Sequence, residues 1–546
     1  MKKTINFLLG LFFVFTSSCS ESELDSPNIN RDTLYAISVL HDSVILTTGS
    51  VGIIDFTISP YNKSFDFSND ESNFAIGIMS GHNFESENYK LTKIEQIGDI
   101  CDTTRIGKFR AYIEDNCLKN NYDDNVKIVL ANKNKGIFFK SSSFTIKYKC
   151  DSLTKAVLET GLPLVIIKTI NQEEPTCDYV SPPPGSWGAG ITNTTKVPGR
   201  IVMMKDSLVL YNSGEYEKDK SGITIRIRGN TSAYGNKKPY KIKLQKKADL
   251  LLRGDDKKFK DKNWLLLEDG NLNKKIGFKL NELMNLQWTP SYQYVNVLFN
   301  GDYKGLYMLV ESVNRNEDCR LNVDKTGFIF EYDAYWWNEN VYVKSSTLPW
   351  PMHYTFKYPD PDDITEEEIQ YFTSMIAVVE KSLNDGTYPD YIDVNSFAAW
   401  MLAHDILGNG DGGGSNYYLT KKDNTAESKV MMANLWDFDH IFRNKNNWDS
   451  AHGMFYFSKL FNSENKDFIN LYKTKWREIS PILINEMTTD LNNYLESKES
   501  ISLDKSIQMD NERWERSNVA VSERFGVAKE WFNSRHIWLS TAIENL

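Results

Sequence analysis

From Asp32 to Lys149 the chain consists of short apolar runs separated by clusters of Asn, Asp, Ser and Gly. Tyr35-Ala36-Ile37-Ser38-Val39-Leu40, Ser43-Val44-Ile45-Leu46-Thr47 and Val51-Gly52-Ile53-Ile54-Asp55-Phe56 have the length and composition of strands. So do Lys127–Leu130 and Phe144–Tyr148, and the residues between such runs are those that favour turns. This pattern predicts an all-β, immunoglobulin-like sandwich over residues 32–150. No catalytic grouping of side chains is visible in it, so its expected role is that of a spacer or binding module. A chain of 546 residues exceeds what one hydrophobic core supports, so the expected architecture is multidomain.

Residues 155–546 read as a second, α+β domain. A Pro/Gly-rich loop, Ser181–Gly188, lies near its start. Ile223–Arg228 and Tyr240–Leu244 alternate with period two, and a glycine-containing turn, Gly229–Pro239, separates them. Ile276–Leu286 has helical spacing. Tyr294–Phe299 and Tyr303–Val310 flank Asn300-Gly301-Asp302, which predicts a tight hairpin because Asn-Gly suits the positive φ angles of a two-residue turn. The last third is helical. Thr365 is placed to cap a helix with Glu366, Glu367 and Glu368 in its first turn. Ser396–Leu407 reads as a buried helix, and Phe468–Leu495 and Asn518–Leu546 as amphipathic ones.

The first nineteen residues form a targeting signal: Lys2 and Lys3, an apolar run from Ile5 to Phe15, then Thr16-Ser17-Ser18-Cys19. The run is short of the roughly 20 residues that span a bilayer, so it predicts export. The ending resembles a bacterial lipobox, with Thr16 in place of the customary Leu. This implies lipidation of Cys19 and anchoring of the exported chain to the outer membrane, at the cell surface or on the periplasmic face. The alternative is an ordinary signal peptide that contains a cysteine. Residues 20–31 follow as an acidic tether, and Ser20-Glu21-Ser22-Glu23 resembles the surface-export tag of Bacteroidetes lipoproteins. Of the other cysteines, Cys101 and Cys117 lie close enough in sequence to bridge, as do Cys150 and Cys177; Cys319 is left over, and unpaired thiols are the default reading. A formal net charge of −10 without any long Lys/Arg block argues against a nucleic-acid partner.

Chemistry concentrates in two stretches. His404 to Asn416 carries a helix end into a glycine-rich loop that presents Asp405, Asp411 and Asn416, and the strand Tyr417-Tyr418-Leu419 follows. Met431–Trp436 then delivers Asp437-Phe438-Asp439. On an extended backbone Asp437 and Asp439 would share one side and one metal, and hard oxygen donors of this kind suit Mg2+ or Mn2+. Asp411 and Asn416 have the D-x-x-x-x-N spacing of protein kinases, in which the Asp orients the acceptor hydroxyl and the Asn holds a metal.

Several further motifs occur in order. Arg228-Gly229-Asn230-Thr231-Ser232 precedes Lys237-Lys238-Pro239-Tyr240-Lys241-Ile242-Lys243-Leu244, then come Asp261–Leu267, Leu298–Tyr307 and Leu309-Val310-Glu311. With Asn416–Leu419 and Trp436–Asp439 they resemble the spore-coat protein H (CotH) kinase-like family over roughly Leu162 to Arg443. The resemblance implies an atypical protein-kinase-like fold that uses ATP and Mg2+ or Mn2+ on Ser/Thr of a protein substrate. It places Asp411 as the catalytic acid/base, Asn416, Asp437 and Asp439 at the metal, and Arg228, Lys238 and Lys243 as candidates to neutralise phosphates. Asn273 departs from the Arg frequent in the family. Each residue also has a structural reading: Asp411 satisfying loop amides, Asn416 capping a turn, Asp439 paired with Arg443, His404 as a satisfied core histidine, and Lys237-Lys238 simply solvated. Three functions remain open at this point: an extracytoplasmic protein kinase, a catalytically inactive kinase fold serving as a surface binding protein or adhesin, and a structural envelope lipoprotein.

Overall fold

The structure, a computed structural model, describes residues 34–546 apart from 48–50, 62–64, 68–71, 82–88, 98–105, 116–121, 150, 187, 189, 192–194, 207, 255–256, 346–352, 411, 413–414, 444 and 463. The lipobox with Cys19, the tether, Cys101, Cys117, Cys150 and Asp411 therefore lie outside the described residues. Two compact units make up the chain. One is Met1–Glu159 with Met204–Leu210, and the other is Thr160–Met203 with Tyr211–Leu546.

In the first unit the alternation seen in the sequence becomes two sheets around one core. Its strands are β1 (Ala36–Val39), β2 (Ser43–Leu46), β3 (Val51–Ser59), β4 (Phe74–Ser80), β5 (Tyr89–Gln96), β6 (Gly107–Asp115), β7 (Tyr122–Asn132), β8 (Ile137–Lys140) and β9 (Phe144–Tyr148). One sheet has the order β1-β3-β6-β5, the other β2-β9-β7-β4 with β8 added to β7. Every second residue turns inward, so Ile54, Phe56 and Ile58 of β3 meet Ile128, Leu130 and Ile146 in a shared apolar cluster. A short helix, α1 (Ser152–Glu159), follows, with Asp151 accepting from the Thr154 backbone N–H at 2.8 Å.

After α1 the chain forms β10 (Leu164–Thr169), a small pair β11 (Tyr179–Val180) and β12 (Gly190–Ile191), then β13 (Val197–Lys205), β14 (Leu208–Asn212), β15 (Ile223–Ile227), β16 (Tyr240–Ala248) and β17 (Asp261–Leu267). After α2 (Asn273–Leu283) come β18 (Tyr292–Phe299) and β19 (Asp302–Glu311). The sheet order is β10-β18-β19-β17-β16-β15-β13-β14, and β10 also pairs with β13. The predicted hairpin is present: Phe299 pairs with Asp302 around Asn300 (φ 50°) and Gly301 (φ 84°), two positive φ angles that a β-branched residue would resist.

A second antiparallel sheet has the order β21 (Tyr342–Val343), β22 (His353–Tyr358), β20 (Phe328–Asp333), β23 (Tyr417–Lys421), β24 (Val430–Met432). The helices that follow β19 in sequence are α3 (Glu366–Asp385), α4 (Val394–Leu407), α5 (Phe455–Leu460), α6 (Lys466–Leu495), α7 (Lys498–Arg513) and α8 (Val521–Glu544). The expected cap on α3 is a full capping box, in which Thr365 accepts from the Glu368 N–H and the Glu368 carboxylate accepts from the Thr365 N–H. Buried on nearly all sides, α4 ends at Gly408 in the left-handed region. Within the last third, read as helical, α7 shows no apolar period of its own, because its buried face mixes Leu503 and Ile507 with Ser500, Ser506, Asp510 and Asn511. Cys177 and Cys319 are free thiols. Among the described residues no helix is long and apolar enough to cross a membrane.

Candidate active site

Strands β15, β16 and β17 direct Ile223, Ile225, Ile242, Leu244, Trp264 and Leu266 into an apolar cluster. Alternation therefore sends Thr224, Arg226, Lys241, Lys243, Asn263 and Leu265 to the other face, where they line an open cleft of about 1510 Å³. Facing them across the cleft are Glu331 and Asp333 of β20, Lys357 of β22, Ser415, Asn416 and the segment Trp436–His440.

The loop after α4 is tied to that segment. Asn409 Nδ2 donates to the Asp437 carbonyl at 3.0 Å and the Gly410 N–H to the His440 carbonyl at 2.9 Å. Gly412 lies over two buried groups: a Cβ there would come within 2.2 Å of Asp449 Oδ1 and 2.9 Å of His404 Nδ1. His404 is buried, as the sequence suggested, but neither ring nitrogen has a hydrogen-bond partner among the described residues. Burial holds its pKa down at about 3. Asn416, at φ 71°, donates its N–H to Glu331 Oε1 at 3.0 Å, and the Ser415 hydroxyl donates to Asp333 Oδ1 at 3.0 Å. Lys357 pairs with Glu331 at 3.0 Å. Burial, with the Glu331 charge added, pushes the Asp333 carboxyl up to about 7.

The Asp437–Asp439 segment is not an extended strand. β24 stops at Met432, and Asp437 sits at φ 60° in the left-handed region. The alternation that would place both carboxylates on one side fails there, because it holds only for extended backbone. A turn replaces it, in which the Asp439 N–H donates to Asp437 Oδ1 at 3.3 Å. α2 holds this turn. Asn273 Nδ2 donates to the Phe438 carbonyl at 2.9 Å, and Gly277 leaves room for the Phe438 ring, which a Cβ would meet at 2.2 Å. Lys274 lies 2.5 Å from Asp439 Oδ1, the partnership the sequence reading gave to Arg443. Burial lowers the Lys274 pKa, but Asp439, Asp269 and Asp437 together outweigh it and raise it. Asp269, its own carboxyl pushed up to about 6 by burial, accepts from the Lys274 N–H at 2.9 Å and the Tyr294 hydroxyl at 2.8 Å.

Of the residues singled out in sequence, Asn416, Asp437, Asp439, Arg228 and Lys243 line the same cleft. Lys238 points elsewhere, its ammonium donating to the Ala233 carbonyl at 2.7 Å inside its own turn. Lys237 is not solvated: it is 2% exposed and forms an ion pair with Asp510 at 2.6 Å. Sequence reasoning passed over Arg226, Lys241, Lys274, Glu331, Asp333 and Lys357. The β15 and β16 alternation already put Arg226 and Lys241 on the face of Arg228 and Lys243. Lys357 and Lys274 gave no such signal.

Among the described residues no three His, Cys, Asp or Glu side chains form a ready metal cluster. Asp437, Asp439 and Asn416, two carboxylates and an amide among the residues that line the cleft, are hard oxygen donors of the kind that fits Mg2+ or Mn2+ together with substrate oxygens.

A family model described as CotH kinase protein matches residues 225–539, more than half of the chain, a span that runs from within β15 to within α8. No curated protein matches the chain. Among solved structures, one similar chain is the Streptococcus agalactiae AgI/II polypeptide BspA C terminal domain (WT), at 5% identity and a TM-score of 0.13. The alignment covers 31% of this chain and 60% of that domain, and a likeness of this size carries no argument about fold or function.

Proposed function

The chain belongs to the CotH kinase family, and on that premise we propose that it is an exported, atypical protein kinase that transfers the γ-phosphate of ATP to Ser or Thr of extracytoplasmic proteins. The observation that carries this reading is the meeting, in one cleft, of Asn416, Asp437 and Asp439 with the cationic face of β15 and β16. In phosphoryl transfer the protein's task is positioning and charge neutralisation, and both kinds of group are needed.

Asp411 would accept the proton of the acceptor hydroxyl, and Asn416 and Asp437 would hold a divalent cation. Arg228 and Lys243 would offset phosphate charge. A bound Mg2+ or Mn2+ would supply the positive charge that stabilises the transferring phosphoryl group. The stitching of Asn409 and Gly410 to Asp437 and His440 keeps the loop after α4 in register with the turn that carries Asp437.

The protein-kinase-like fold is supported by an antiparallel run β15-β16-β17-β19-β18, in which α2 follows the third strand in sequence, as a kinase's αC helix follows its lysine strand. An immunoglobulin-like first unit is supported by sheet orders that correspond to A-B-E-D and G-F-C. Residues 1–19 support export, with Cys19 lipidated and the outer membrane as anchor, and the protein substrate would then be periplasmic or on the cell surface.

Labelled ATP with Mn2+, given to the wild type and to Asp437→Ala, tests the function. The wild type is expected to transfer label to itself or to an added protein, and the variant to lose roughly 100-fold or more of that rate. A wild type that neither binds nucleotide nor transfers phosphate overturns the kinase reading in favour of a binding or structural envelope protein.

A further inference from the structure

Protein kinases carry the lysine that pairs with the nucleotide's phosphates on the strand before the αC helix. The strand in that place here is β17, and its cleft-lining residues are Asn263, Leu265 and Leu267, none of them cationic. Lys262, the one lysine of the strand, is not among the residues that line the cleft.

The neighbouring strand supplies what β17 lacks. Lys241 stands opposite Leu265 across the β16–β17 ladder and opposite Arg226 across the β15–β16 ladder, so the three form one row on the cleft face. The other lysines embedded in the cleft wall already have carboxylate partners: Lys274 has Asp439 and Lys357 has Glu331. Among the described residues Lys241 makes no hydrogen bond or ion pair. Burial, then the charges of Arg226, Lys357 and Arg228, push its pKa down to about 7, with Asp360 pulling the other way. A half-buried lysine placed among cations costs stability in the empty protein, and an anion arriving in the cleft would relieve that cost. Nothing comparable holds for Lys243, which is exposed at the cleft rim.

We propose that Lys241 is the residue that meets the phosphates of the bound nucleotide, performing from β16 the task that protein kinases give to the next strand. The proposal rests on the kinase reading above.

Calorimetric titration of the full chain with a non-hydrolysable ATP analogue and Mg2+ tests it, using the wild type, Lys241→Met and, as a control away from the cleft lining, Lys262→Met. Loss of one charge-assisted contact is expected to weaken binding by Lys241→Met roughly 10- to 100-fold, while Lys262→Met stays within about threefold of the wild type by the same arithmetic. Melting of the unliganded proteins gives a second readout that does not depend on binding. Removing a charge that lacks a partner is expected to leave the melting temperature of Lys241→Met at or above that of the wild type. If the wild type binds the analogue and Lys241→Met binds it equally well, this proposal is overturned and the kinase reading stands. If the wild type does not bind it at all, the kinase reading falls and takes this one with it. A Lys241→Met that melts well below the wild type also overturns it, since the lysine would then be serving the fold.

Discussion

Asp510→Ala would remove one half of a buried ion pair that no local pattern of residues announces. Lys237 Nζ lies 2.6 Å from Asp510 Oδ1, with the two side chains 0% and 2% exposed. The same ammonium donates to the Leu306 carbonyl at 2.6 Å, and the same carboxylate oxygen accepts from the Leu306 N–H at 2.9 Å. Burial lowers the Lys237 pKa against the pull of Asp510, so the charged form depends on its partner. Taking away the carboxylate leaves a buried ammonium and an unpaired amide, and breaking such a pair costs about 3–5 kcal/mol. Replacing both residues, as Lys237→Met with Asp510→Leu, removes both charges and takes these partners from the Leu306 N–H and carbonyl, which costs about 1–3 kcal/mol for each group. Against this, a buried ion pair exchanged for apolar side chains is often neutral or stabilising by about 1–4 kcal/mol. The double variant is therefore expected to unfold within about 2 kcal/mol of the wild type, and closer to it than Asp510→Ala. Urea unfolding followed by tryptophan fluorescence measures this. The reasoning is refuted if Asp510→Ala costs less than about 1 kcal/mol, or if the double variant is as unstable as that single one.

Two further perturbations address the site. Gly277→Ala puts a methyl group 2.2 Å from the Phe438 ring; overpacking of this kind costs about 1–3 kcal/mol and displaces the turn that carries Asp437, so phosphate transfer is expected to fall while the protein still folds. A Gly277→Ala protein with wild-type activity would contradict it. Asp449→Asn tests a pH dependence, since burial and then Asp405 push the Asp449 carboxyl up to about 8 from an ordinary 3.8. Between those values the folded state keeps a proton that the unfolded chain has lost, so the group's contribution to stability declines as pH rises through that window. His404, held down at about 3 by burial, acts in the opposite direction but only below about 6.5. Melting temperatures from pH 6.5 to 8 are therefore expected to fall more steeply for the wild type than for Asp449→Asn, and parallel curves would count against a buried protonated carboxyl.

What the sequence made legible was local. The alternation of β15 and β16 shows because one face of each strand is buried in an apolar cluster and the other faces the cleft. The Asn300-Gly301 turn and the Thr365 capping box show because their chemistry lies within a few residues. The order of motifs around Asn416 and Asp437 was enough to bring those residues to one cleft. Three features stayed hidden for physical reasons. Lys237 finds its partner 273 residues away, on a helix whose polar buried face gave no apolar period. The left-handed turn at Asp437 breaks the rule of alternation from which its geometry was inferred. Glu331 and Asp333 matter because β20 pairs with β23, which sets them beside Ser415 and Asn416, and no local pattern announces that pairing.

The distribution of charge in the cleft narrows what can occupy it. The face of β15 and β16 presents Arg226, Arg228, Lys241 and Lys243, and the opposite wall presents Glu331, Asp333, Asp437 and Asp439. An anion alone would satisfy the first wall and be repelled by the second; a cation alone would do the reverse. Lys274 and Lys357 moderate the acidic wall through Asp439 and Glu331, yet Asp437 and the Asn416 amide remain beside them as further oxygen donors at the cleft. A polyphosphate carrying a divalent cation meets both walls at once, with phosphates toward the strands and metal toward the loops. Entry of the metal would have to compete with the Lys274 ammonium for the field of Asp437 and Asp439. Lys274 and Lys357 thus offset part of the charge of the acidic wall, and under the proposed kinase function binding of metal and nucleotide is expected to be mutually reinforcing, because each brings the charge that the other's wall repels.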